Sequence, residues 1–173
     1  MSGPATPTTS TKDELAALDQ YRRWARFLFG ILAILAAIGL VLVPATTGGV
    51  DPARVAAVWP LVVILTANVA ATLVVLVSLI RGLTHWSSWA IHAVQPVCIV
   101  LIVIGGMRAL IAVAQGQVLL PLESVGGLLV LTRSHPADLL PPATADDRRR
   151  VTIAAAAMFA SYFVPLVLPL ALT

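Results

Sequence analysis

The chain has 173 residues, 59% of them apolar and 11% charged, with a formal charge of +3 and a mean hydropathy of +0.95. A soluble domain carries about 25% charged and 45–50% apolar residues, so this composition excludes an ordinary soluble enzyme and defines an all-α polytopic integral membrane helical bundle. The basic residues, all arginine except Lys12, sit beside apolar runs instead of forming a patch with interleaved aromatics, so no nucleic-acid partner is expected. The abundance of Ala, Arg, Gly and Pro suggests a GC-rich bacterial coding sequence.

Residues 1–10, MSGPATPTTS, read as a disordered tail. A juxtamembrane amphipathic helix is expected next: Thr11 and Glu14 have capping-box spacing, and Asp13, Glu14 and Asp19 precede the bases, matching the helix dipole. Tyr21 has the place of an interfacial aromatic, and Arg22, Arg23, Trp24 and Arg26 read as membrane-surface anchors. Residues 1–26 are thus set apart from a single transmembrane domain, 27–173.

The first span is expected at 27–43; the run starts too late, and ends with too little sign of a cleavage site, for a signal peptide. Residues 44–50 form a turn, and Asp51-Pro52 opens a short surface helix. The second span, 59–80, carries Asn68 and Thr72 at helical i, i+4 spacing beside Ala67 and Ala71, a pattern for bonding across to another helix; contact with a solute is the other role open to Asn68. The third span, 89–114, has His92, Gln95 and Pro96 in its first turns. No second span carries a histidine to share a haem with His92, and Cys98 has no cysteine partner, so neither a cofactor nor a disulfide is expected.

The run 117–132, interrupted by Pro121, lies between a full span and a re-entrant segment in length. Charge bias decides for a span. Arg133 and the triplet Arg148, Arg149, Arg150 reach the cytoplasmic side with Arg22, Arg23 and Arg26 only if 117–132 crosses; the 44–58 loop, with Arg54 alone, then lies outside. Five transmembrane helices follow, N-terminus cytoplasmic and C-terminus outside, in a bacterial plasma membrane; the alternative is four plus a re-entrant segment at 117–132. The last span is expected at 151–172, behind a Thr144/Asp147 capping box, with Arg148, Arg149 and Arg150 as anchors. Ala156/Ala160 and Ala157/Ser161 offer close packing, Pro165 and Pro169 bend the outer half, and Ser161 and Tyr162 need hydroxyl partners near mid-bilayer.

The sharpest pattern is Gly105 to Gly127, two apolar arms folded at Ala114–Gln117. Arg108 and Glu123 are equidistant from the turn, as are Gly105 and Gly126, so equal rise per residue puts each pair at one depth. Ionisable groups in hydrocarbon seek partners, and an Arg108–Glu123 ion pair beside a Gly105/Gly126 close-packing contact is expected. With no catalytic, metal-ligating or cofactor-binding constellation in view, the sequence reads as a non-enzymatic subunit, scaffold or accessory component of a membrane complex. Its partners are then the lipid bilayer and other membrane helices, in a hetero-complex or homo-oligomer. The alternative is a small oligomeric transporter or channel with Glu123, Arg108, Asn68 and Tyr162 lining a path.

Overall fold

The computed structural model describes residues 9–45, 52–118, 120–132, 140 and 142–171, with side chains described over 12–42, 59–118, 120–132, 140 and 142–164. The described residues form five helices and no strand: α1 (Thr9–Ala45), α2 (Pro52–Thr84), α3 (Ser88–Ala114), α4 (Leu122–Thr132) and α5 (Ala145–Ala171). Three stretches are long and apolar enough to cross a membrane, Lys12–Leu42, Trp59–Thr84 and Ser88–Ala114. The expectations for residues 1–8, for the turn with Asp51, for the side chain of Arg54, for Arg133 and His135, and for the side chains of Pro165 and Pro169 lie outside the described residues.

Neither glycine nor proline occurs between Thr9 and Phe29, so nothing divides a juxtamembrane helix from a first span, and α1 runs unbroken for 37 residues, about 55 Å. The helix starts at Thr9, ahead of the expected cap at Thr11, whose side chain lies outside the described residues. Leu18, Tyr21, Ala25, Leu28, Phe29 and Leu32 follow helical periodicity and are all buried, so this part of α1 packs into the bundle instead of lying on the membrane. Tyr21, only 2% exposed, is a core residue and not an interfacial one. The expected surface helix and second span are likewise one helix, α2, which opens at Pro52 and continues through Pro60.

α4 is shorter than the run that encodes it. Proline disfavours the helical region for the residue before it, and the Pro121 carbonyl instead accepts the N–H groups of Ser124 and Val125 at 2.9 and 3.0 Å, starting the helix at Leu122. Its 11 residues reach about 16 Å. α5 starts behind a reciprocal cap: Asp147 N–H donates to Thr144 Oγ1 at 3.1 Å, and Thr144 N–H donates to Asp147 Oδ2 at 3.1 Å. Its backbone stays helical to Ala171.

Around the bundle α1 packs on α2, α2 on α5, α5 on α3, α3 on α4, and α4 back on α1, closing a ring that an α2–α3 contact crosses. The core gathers toward one end, from Leu18–Leu32 of α1, Leu76–Leu83 of α2, Ala90–Leu101 of α3, Val130 and Met158. That end holds the starts of α3 and α5, joined where Ser88 Oγ donates to Asp147 Oδ2 at 3.3 Å. It also holds the last turn of α2, where Arg22 of α1 is tied.

Arg22 is not a surface anchor. Its side chain is 12% exposed, pairs with Asp19 at 2.7 Å, and donates through Nη1 to the Leu83 carbonyl at 3.2 Å, one of the carbonyls that α2 leaves without an intrahelical partner. Its guanidinium lies 3.7 Å over the Trp86 ring, and Trp86 holds φ 56°, a left-handed conformation uncommon for a bulky residue. There Trp86 takes the place usually given to glycine, closing α2 with Ser87 N–H donating to the Gly82 carbonyl at 2.9 Å. Arg23, 75% exposed, pairs with Asp19, and Arg148, Arg149 and Arg150 are exposed; Trp24 and Arg26 are half-buried.

Two outcomes test this end. Arg22→Lys keeps the charge but not the planar fork, and lowers stability by about 1–2 kcal/mol in detergent melts; an unshifted melt removes the latch. For Asp147, hydrogen bonds from the Thr144 hydroxyl and N–H hold the carboxyl below its ordinary value of 3.8. The folded state therefore gains from the ionised form, a gain complete above about pH 4 and lost as pH falls through the depressed value. Wild type is expected to lose more stability than Asp147→Asn on acidification below that point, read from melts of both across pH; parallel curves exclude the cap's contribution.

Candidate functional site

Polar residues of all helices but α1 meet at one place, away from the Arg22 latch. A cavity of about 530 Å³ is lined by Asn68 and Thr72 of α2, Arg108 of α3, Glu123 of α4, and Ser161 and Tyr162 of α5, with Leu32, Leu35, Ala36 and Gly39 of α1 and Val69 of α2 as its apolar wall. Every helix contributes. Arg108 stands about 30 Å along α3 from Ser88, and Leu32 and Thr72 stand about 15 Å above the Arg22 latch, so the cavity lies on the far side of the packed core.

Asn68 and Thr72 share a face of α2 by their spacing, and the Thr72 hydroxyl donates back to the Asn68 carbonyl at 2.9 Å. Asn68 Nδ2 donates across to the Ser161 carbonyl of α5. That carbonyl is available for a simple reason. The residue four positions on is Pro165, which has no N–H to give it, so the helix leaves an acceptor that Asn68 takes.

Arg108 Nη1 lies 2.8 Å from Glu123 Oε1, the two side chains being 41% and 15% exposed. A helical side chain leans toward its own N-terminus, so Arg108 reaches down α3 to a carboxylate slightly deeper than itself. The glycines fall differently from the expected pairing. Gly105 faces not Gly126 but Ser124 and Glu123: an added Cβ would overlap Ser124 Oγ and stand 2.9 Å from Glu123 Cγ. Gly126 faces Leu28 of α1, and the close contact with α3 belongs to Gly127, where a Cβ would come 3.0 Å from the Cys98 carbonyl. The described residues between the turn and Leu122 are not helical, so equal rise per residue does not hold across the hairpin and the expected glycine pairing slips.

Ser124 and Gly127 are thus contact residues that sequence reasoning missed. The Ser124 hydroxyl donates to the carbonyls of Leu101 and Ile102 at 3.2 and 3.1 Å, an approach the missing side chain of Gly105 permits. A serine one residue from the membrane's acid, opposite a glycine, was the available signal. The small-residue pairs of α5 divide, with Ser161 buried, Ala157 half-buried, and Ala156 and Ala160 exposed.

Among the described residues no group of His, Cys, Asp or Glu is placed to hold a metal, and Cys98 is a buried free thiol. No family model, curated protein or solved structure matches the chain.

Reversing the pair tests its contribution. Arg108→Glu alone, setting two acids together, lowers the yield of folded protein; adding Glu123→Arg recovers part of it. The expected coupling is about 1–2 kcal/mol, below that of a fully buried pair because Arg108 is 41% exposed. A double variant no better than the single one removes the pair as a fixing contact.

Proposed function

We propose that this chain is a small polytopic membrane protein that takes a solute into the cavity between its helices, as the binding element of a transporter or channel. One observation carries the reading: polar side chains from four helices converge on a single cavity, and those of Arg108, Ser161 and Tyr162 are not used up in helix packing. Helix-packing groups in hydrocarbon consume their hydrogen bonds on neighbouring helices. Here the hydroxyls of Ser161 and Tyr162 and most of the Arg108 guanidinium line the cavity with no partner among the described residues. Ionisable groups so placed mark solute and ion sites in membrane proteins.

Five crossings, with the N-terminus cytoplasmic and the C-terminus outside in a bacterial plasma membrane, complete the proposal. Supporting it, α3 and α5 start at the same end, so the chain returns along α3 between them, and the exposed arginines cluster there. α4 itself reaches about 16 Å, so a full crossing draws on the non-helical residues before it as well.

Reconstitution into liposomes tests the function. Entry of small carboxylates, amines, amino acids and sugars is compared with empty liposomes; at least one class is expected to enter faster, and Ala36→Trp, which fills the cavity, abolishes the gain. Rates equal to empty liposomes for all classes, with a foreign membrane protein co-purifying stoichiometrically in mild detergent, would put an accessory role in its place.

A further inference from the structure

Resting on that reading, we infer that the cavity takes an organic monocarboxylate with an apolar body, held by the free edge of Arg108. The charge the cavity presents is that of Arg108, 41% exposed against 15% for Glu123. Arg108 spends only Nη1 on Glu123; its Nε and Nη2, the edge whose parallel N–H groups fit a carboxylate, have no partner among the described residues. Ser161 and Tyr162 add hydroxyl donors to its lining. Asn68 and Thr72 have already spent donors on the Ser161 and Asn68 carbonyls, and Leu32, Leu35, Ala36 and Val69 offer no polar side-chain group, so the body of the ligand is apolar. The volume of about 530 Å³ suits a small organic molecule.

The ligand's carboxylate takes the Nε–Nη2 edge of Arg108, whose Nη1 stays on Glu123. A cation fits poorly, because it would have to reach the more buried Glu123 and leave Arg108 unpaired.

The test uses the full chain in nonionic detergent, with benzoate as the probe and protein-free micelles as the blank. At about pH 7 benzoate is ionised, and wild type is expected to bind it above the micelle blank. Glu123→Gln, which keeps Arg108, is expected to go on binding it. R108Q/E123Q, which leaves the hairpin uncharged and folded, loses at least about tenfold in affinity. Equal binding by R108Q/E123Q, or loss of binding in folded Glu123→Gln, overturns the inference. Butylammonium or β-alanine binding where benzoate does not also overturns it, while leaving the solute site intact. Binding of none of the three to folded wild type removes the site and the inference together.

Discussion

A charge held where water is scarce must find its opposite within the protein, and much of the upper half of this bundle follows from Arg108 meeting Glu123. The cost of leaving either alone in hydrocarbon is several kcal/mol on most scales, so the two fix how far α4 can slide along α3. Once that depth is fixed, Gly105 lies opposite Ser124, Gly127 lies against the Cys98 carbonyl, and Gly126 is turned toward Leu28 of α1. The last of these contacts closes the ring of helices. An 11-residue helix gains little from its own propensity, so α4 holds its place through these close approaches and the ion pair.

The two ends of the bundle are built on different principles. At the arginine end, large side chains such as Tyr21, Phe29, Leu76, Leu79 and Leu83 are almost completely buried, and Arg22 adds a polar lock between α1 and the α2–α3 loop. Toward the other end the same helices separate around polar side chains that do not fill the space between them. Asn68 spans the divide by tying α2 to α5 through a carbonyl that Pro165 leaves unpaired in its own helix. A proline that would merely weaken a lone helix becomes the source of an interhelical bond.

Local chemistry was readable in the sequence wherever a residue's requirement had one solution. Thr144 with Asp147 could only cap a helix starting at Ala145, and composition alone made the chain an all-helical candidate for the membrane. Spacing about Gln115-Gly116 put Arg108 and Glu123 at similar depth, and their side chains meet. What sequence could not supply was register. Gly126 and Gly127 are neighbours pointing about 100° apart, and the choice between them depends on how far the non-helical residues before Leu122 carry the chain. Nor does apolar periodicity show where one long helix stands in for two short ones, since α1 buries a continuous stripe from Leu18 to Leu32 across the expected boundary. Arg22 resembles its neighbour Arg23 in sequence, and only the arrival of Leu83 and Trp86 beside it separates a latch from a surface charge.

The position of the cavity also sets what passage through the protein requires. Below Thr72 and Ser161 the described core is Leu76, Phe29, Leu28, Val97, Leu101 and Met158, with no polar side chain to replace the hydration of an ion. A solute can be held at Arg108 with this floor in place. Going on toward the arginine end means crossing apolar side chains packed without room for water, where a net charge is most expensive. On the proposed function, a carboxylate held on Arg108 meets both obstacles in going further, its charge and the packing. Holding and passing would then be separable: the charge pair governs the first, and the second depends on how readily the helices around Phe29 and Leu76 part.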